Sequence, residues 1–446
     1  MNRACVWLAI VLCAGVGAGV VTAQEPQPLT LQQAQEIALR NHPRISQAEL
    51  EALASKQVVT QVRAAFLPDV TFNATAVDAF ESNTRLAAGG LNNPSVYDRN
   101  AEGLTVMEVL TDFGRTAHLV NSSRLYSQAA NANTEATRDE ILLQVNVSFY
   151  TALKAQSVLD VAHQTLETRQ LLLDQVTALA TNKLRSELDL RFAQVAYEEG
   201  RLLVAQAKND VEQAFNALDT LLGDRQKRTY RLVGEPAITA ESVNSTGLVD
   251  VALSQRPDLV RLRLERDAAT QYARAQKALN YPTISAFGAG GFIPVRDTAH
   301  FEDRYAAAGV NLSLPIFEGG LISAKHAEAE LRAQAAGEKL RDAENNVIRD
   351  VRNASLNVNY ARERLDLTQK LFDNASEAFD LAQARYKLGS SSIVELSQAQ
   401  LNKTEADIAH TSARYDYEIQ RDILNFEIGE PQQATAASKS SVPAVN

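Results

Sequence analysis

Two tracts of the chain, 114–223 and 320–429, run without a proline, and each begins and ends on a glycine. In the second, Val347, Val351, Ala354, Val358, Ala361, Leu365, Thr368, Phe372, Ala375, Phe379, Ala382 and Tyr386 follow an alternating four-three spacing. That is a heptad seam, the pattern that lays helices side by side as coiled coils. In the first, Leu142, Val145, Phe149, Ala152, Gln156, Leu159, His163, Leu166, Gln170 and Leu173 keep the same spacing less cleanly. A helix from Gly320 to about Tyr386 would be roughly 100 Å long at 1.5 Å per residue. No single globular core is that deep, so the helix is expected to span a distance. Each tract then turns back. In Leu388-Gly389-Ser390-Ser391-Ser392 the glycine ends one helix and a serine caps the next. The matching turn near Lys183 to Glu187 is shorter and lacks the glycine, with Ser186 as the expected cap.

The landmarks before each tract also repeat. Ala38-Leu39 precedes Pro43 as Ala252-Leu253 precedes Pro257, and the helical patterns that follow stop at Pro68 and Pro282. Asp112-Phe113-Gly114-Arg115 opens the first tract and Pro315-Ile316-Phe317-Glu318-Gly319-Gly320 the second. Lys183-Leu184 and Lys387-Leu388 lie near the middles, with Ala193-Gln194 and Ala399-Gln400 shortly after. A period this long implies duplication of a half-domain, not a short solenoid repeat. The expected units are 24–223 and 247–430, joined by 224–246, with an Ala/Ser/Gln-rich tail, 431–446, expected to be disordered.

Between the second proline of each half and the glycine corner lies a strand pair, about 69–113 and about 283–315. Val70, Phe72, Ala74 and Ala76 alternate with Thr71, Asn73 and Thr75, and Ala306, Ala308, Val310, Leu312 and Leu314 alternate with small or polar residues. An apolar face over about ten residues suits a membrane β-strand. The partner strands are less regular, one interrupted by Glu108 and the other glycine-rich from Thr283 to Ile293. Polar loops, Phe80 to Asn100 and Pro294 to Arg304, are read as exposed tips. Four strands cannot close a barrel, which needs about eight or more, so strands in a membrane would force oligomerisation.

The start of the chain fits this address. Arg3, an apolar run from Val6 to Val21 and Thr22-Ala23 read as a signal peptide, 1–23, cut after Ala23. Leu12 before Cys13 disfavours lipidation. Cys5 and Cys13, the two cysteines, both lie there, so the processed chain is expected to lack disulfides, thiolate metal sites and cysteine nucleophiles. A formal charge of -10 argues against nucleic acid as a partner. His42, His118, His163, His300, His326 and His410 are scattered without ligand spacing, and the glycine run at 287–291 has no following Lys-Ser/Thr. No enzyme, cofactor or metal site is expected. A secreted soluble coiled-coil scaffold would explain the heptads, but not the leader, the strand pairs or the duplication.

Taken in order, the duplicated helix-strand-strand-helix-helix plan, the two ALxxxP segments, the Phe-Gly corners and GSSSIVELSQAQ resemble the TolC family of outer-membrane efflux proteins, from about Leu29 to Gly429. The resemblance implies an α+β membrane protein: a homotrimer whose protomers each give four strands to a twelve-stranded transmembrane β-barrel, continued by a long coiled-coil α-helical barrel in the periplasm. It implies that 224–246, with strand-like Thr229 to Val233, forms part of a belt around the tunnel. The expected role is an outer-membrane channel of a tripartite efflux or type I secretion system, with outer-membrane lipid, a periplasmic adaptor (membrane fusion) protein and an inner-membrane pump as partners.

The family closes the periplasmic end with its helical turns, here Thr181 to Asp189 and Arg385 to Gln398. Tyr386 matches a tyrosine before the second turn's glycine, Glu395 an acidic residue after it, and Asp189 an aspartate in the other turn. Three copies of Glu395 around an axis would favour cations and repel anions. Ser391 and Gln398 depart from the family pattern, where an arginine and a second acidic residue often stand, and Arg185 or an Asp189–Tyr386 pair could hold the gate instead. Lys183, Lys387, Gly389 and Ser390 are candidate adaptor-contact tips.

Overall fold

A computed structural model describes residues 27–77, 99–223, 230–234, 247–295 and 304–430. The leader, both strand-connecting loops over most of their length, most of 224–246 and the tail lie outside the described residues. The elements run β1 (Gln27–Leu29), α1 (Leu31–Asn41), α2 (Pro43–Arg63), β2 (Asp69–Val77), β3 (Arg99–Thr111), α3 (Arg115–Thr181), α4 (Glu187–Leu222), β4 (Tyr230–Leu232), α5 (Leu248–Gln255), α6 (Pro257–Lys277), β5 (Thr283–Val295), β6 (Arg304–Ser313), α7 (Leu321–Lys387) and α8 (Ile393–Glu427). From α1 to α4 and from α5 to α8 the order of helices and strands is the same, and α3 and α7 each have 67 residues.

Local chemistry sets the boundaries. Pro43 and Pro257 sit at the first position of α2 and α6, where the missing N–H costs nothing. Thr30 closes a capping box with Gln33. The chain enters α3 through two consecutive left-handed residues, Phe113 (φ 54) and Gly114 (φ 92), and α7 through Gly319 (φ 61) and Gly320 (φ 86). The structural counterpart of Phe113 is therefore Gly319. In the first corner Asp112 compensates for the non-glycine residue: its carboxylate accepts from the Gly114 and Thr116 N–H groups at 3.2 and 2.7 Å.

The four long strands form one antiparallel sheet in the order β2-β3-β5-β6. The β3–β5 pairing joins the two halves, and β2 and β6 are edges. Val70, Phe72, Leu104, Val106, Val310 and Leu312 are exposed on one face. Thr71, Asn73, Thr105, Asn311 and Ser313 lie on the other. Glu108 interrupts the alternation but not the ladder: it pairs with Ala286 on the face of Leu104 and Val106, and the register irregularities fall at Asn100/Glu102 and Val109/Thr111. A second, parallel pair joins β1 to β4; the sequence reading had marked β4 as strand-like but had missed β1.

The cores are elongated layers between helices. One packs Phe149, Ile141 and Val145 of α3 against Leu218 and Leu222 of α4 and Ala34 and Ala38 of α1. Another packs Val347, Val351 and Val358 of α7 against Leu259 of α6 and Tyr417 and Leu424 of α8. The α7 seam holds at nine of its twelve positions as fully buried residues, with Thr368, Phe372 and Ala375 half-buried. The α3 seam does not hold beyond Ala152. The buried stripe there passes through Val161, Ala162, Thr165, Arg169 and Val176, and His163 is exposed. The partners of α3 change along its length: α2 and α6 lie against its first part, as at Thr134 and Ser122, and α4 and α8 against the part beyond Ala152, as at Arg169 and Thr165, so no single stripe describes it.

Candidate functional site

The ends of the two long hairpins, α3/α4 and α7/α8, pack together. Val176 and Ala193 of the first meet Phe379, Ala382, Tyr386, Ile393 and Leu396 of the second. Both returns are capped by serine. The Ser186 hydroxyl accepts from the Asp189 N–H at 3.1 Å, and the Asp189 carboxylate accepts from the Ser186 N–H at 3.1 Å. The Ser392 hydroxyl accepts from the Glu395 N–H at 3.2 Å. The second turn uses Gly389 (φ 74) in the left-handed conformation, and the first uses exposed Lys183 (φ 60) in the same role.

Two arginines hold these turns, Arg185 across the pair and Arg385 within the second. Arg185 donates to the Tyr386 carbonyl at 3.0 Å, and its guanidinium carbon lies 4.4 Å from the centre of the Tyr386 ring. A cation at this helix end also meets the favourable pole of the α7 dipole. Arg385 donates to the Glu395 carboxylate at 2.7 Å and to the Ser390 carbonyl at 3.4 Å. The Ser390 hydroxyl in turn donates to the Arg385 carbonyl at 3.1 Å. The sequence reading had missed Arg385; its signal is a base in the last turn of one helix ten residues before an acid in the first turn of the next.

Tyr386 is 5 % exposed, and its hydroxyl finds no hydrogen-bond partner among the described residues. The Asp189–Tyr386 hydrogen bond considered from the sequence is thus not made within the protomer, because the Asp189 carboxylate is turned back onto its own cap. Burial pushes the Tyr386 phenol above its usual range; the Arg185 guanidinium opposes this and the Asp189 carboxylate adds to it. Gln398 donates to Asn402 at 2.9 Å along α8, and Lys387 to Gln383 at 3.5 Å along α7. Leu184 and Leu388, beside the two lysines, are 70 % and 83 % exposed. Among the described residues no group of three or more His, Cys, Asp or Glu side chains could hold a metal ion.

A four-stranded sheet with two open edges and exposed apolar residues on one face thus stands on two helical hairpins, each led by a helix of 67 residues. The model of the outer membrane efflux protein family matches residues 35–224 and again 248–430. The chain belongs to that family and is a protein of the outer membrane. It is similar to outer membrane protein TolC of Salmonella enteritidis, 22% identical over 90% of this chain and 82% of the relative. Outer membrane protein OprJ of Pseudomonas aeruginosa is 26% identical over 84% of this chain and 78% of the relative. Among solved structures, the Campylobacter jejuni CmeC outer membrane channel superposes with a TM-score of 0.79 at 18% identity, covering 91% of this chain and 87% of that one.

Proposed function

We propose that this protein is the outer-membrane channel of a tripartite efflux or type I secretion system, conducting substrates passively from an inner-membrane pump to the exterior. The observation that carries this reading is the pair of free sheet edges, β2 and β6. Unpaired backbone groups in hydrocarbon cost several kcal/mol each, so a sheet in the membrane must close on copies of itself. Three copies supply twelve strands, a homotrimeric barrel within the known size range. The apolar face then meets lipid and the face bearing Thr71, Asn73, Thr105 and Asn311 lines the bore. No helix among the described residues is long and apolar enough to cross a membrane, so the helices, each long one about 100 Å at 1.5 Å per residue, are assigned to the periplasm. In this reading 24–223 and 247–430 are structural repeats and 224–246 a segment at the tunnel's equator.

The hairpin ends are the periplasmic gate and docking end. Arg185 holds the two turns together in place of the arginine absent at Ser391, and Glu395 lines the constriction as half of an ion pair with Arg385. Lys183, Lys387, Gly389 and Ser390, with the bare Leu184 and Leu388, face the adaptor. The test is the mass of the processed protein in detergent by light scattering. A trimer that precipitates when detergent is removed supports the channel. A monomer or dimer that stays in solution without detergent overturns it in favour of a secreted coiled-coil scaffold.

A further inference from the structure

Two aromatic rings interrupt the small and polar face of the sheet, and each lies where a neighbouring strand lacks a side chain. Phe287 of β5 pairs with Gly309 of β6. The three atoms nearest to where a Cβ on Gly309 would stand all belong to the Phe287 ring, two of them 2.8 Å away. The ring therefore reaches over β6 into the space the glycine leaves. Tyr305 of β6 reaches the other way: its hydroxyl lies 2.3 Å from the place of a Cβ on Gly103 of β3 and 2.8 Å from that of a Cβ on Gly291 of β5, where the β3 backbone comes closer still. Both rings remain about two-fifths exposed, Phe287 at 42% and Tyr305 at 40%.

The surroundings leave a displaced Phe287 one direction to go. The rows on either side along β5 and β6 are Ser285 with Asn311 and Ala289 with Ala307, all with a Cβ, and Met107 stands opposite on β3. Gly309 is the gap in this wall. A ring seated in this gap stands less far into the bore than one that a side chain at 309 displaces, by up to about one carbon contact distance, roughly 3.5 Å, and a trimer would repeat the obstruction three times.

We infer that Gly309 is a positioning residue that sets the calibre of the exit by letting Phe287 lie against the barrel wall. The inference rests on the reading of this face as the lining of the bore. It concerns the exit end, so the measurement must sense that end and not the periplasmic constriction. Neutral polyethylene glycols of graded size, added only on the barrel side of a planar bilayer, enter the pore and lower its current until they are too large. The Gly309→Ala trimer is expected to exclude smaller polymers than the wild type does, and Gly309→Ala/Phe287→Ala to regain the wild-type cut-off or exceed it. Alanine fits the extended backbone of β6, and rescue by the second substitution separates a lifted ring from a damaged sheet. An unchanged cut-off in Gly309→Ala trimers, or a reduced one that the double substitution fails to restore, overturns the inference alone. A wild-type trimer that forms no pore overturns the channel reading and the inference with it.

Discussion

The Arg185 guanidinium grips the end of α7 at Tyr386 from two sides, through the ring face at 4.4 Å and the carbonyl at 3.0 Å. One side chain from the α3/α4 turn thereby holds the α7/α8 turn. A half-buried cation over an aromatic ring together with a charged hydrogen bond is worth about 1–2 kcal/mol. Arg185→Ala is therefore expected to raise the open population of reconstituted channels by roughly 5- to 30-fold, read as single-channel open time. Arg185→Lys keeps the charge but loses the planar fork, and is expected to recover only part of the closure. An open time unchanged in Arg185→Ala would remove Arg185 from the gate.

The Arg385–Glu395 pair predicts a charge preference that can be pushed both ways. The two side chains are 57% and 43% exposed, so their coupling is at most about 1 kcal/mol and weakens with salt. Glu395→Ala leaves Arg385 uncompensated and is expected to shift the reversal potential in a potassium chloride gradient toward anions. Arg385→Ala is expected to shift it toward cations, and the double substitution to return it near the wild-type value. If Arg385→Ala leaves selectivity unchanged, Glu395 does not face the ion path.

Glu418 of α8 is fully buried, beside Arg421 and near Asp422 and Tyr150. Burial raises its carboxyl to about 7, with Arg421 opposing and Asp422 adding to the shift. Asp422, which accepts from Asn146 at 2.9 Å, is raised by burial to about 6. Both acids bind protons more tightly in the folded chain than in the unfolded one. Their contribution to stability is complete below the unfolded values near 4 and is lost as pH rises to about 7. The apparent Tm of the detergent-solubilised protein is thus expected to fall between pH 4.5 and pH 7.5. Glu418→Gln, which mimics the protonated acid, should flatten that fall and raise Tm at pH 7.5. A wild-type Tm that climbs over this range would contradict the assignment.

Lys183 and Gly389 occupy the same left-handed position in the two turns, at φ 60 and φ 74. A residue with a Cβ pays roughly 1 kcal/mol or more there. Lys183→Gly is expected to stabilise the α3/α4 turn by up to about 1 kcal/mol, and Gly389→Ala to destabilise the α7/α8 turn by a similar amount. Hydrogen exchange at the amides of the two turns measures both, and equal protection in all three proteins would contradict the strain argument.

The elements that were legible in the sequence are those with one partner face. The α7 seam reads cleanly because Val347, Val351 and Val358 see a single apolar layer. The serine caps were legible because capping is local chemistry: Ser186 by position, and the second as one of three serines, of which the structure uses Ser392. The α3 stripe was misread past Ala152 because its surroundings change along its length, from α1 and α4 around Phe149 to α4 around Arg169, whose guanidinium donates to the Ala196 carbonyl at 2.7 Å. Strand β1 was missed because three residues carry no period, and its partner β4 lies about two hundred residues away. At the hairpin ends the residue types were visible, but the pairings were not. That Asp189 turns to its own cap and Glu395 to Arg385 depends on side-chain direction, which spacing does not encode.

The equal count of 67 residues in α3 and α7 constrains how such a protein can change through evolution. Seven residues added to α7 alone would carry its end about 10 Å past α3 at 1.5 Å per residue, and Arg185 would no longer meet Tyr386. A returning helix must lengthen with its partner, so a viable extension needs matched insertions at four places in the chain. Gradual drift in length is therefore closed to this architecture, and the reach of the helices becomes a quantity that two halves of one gene must hold in common.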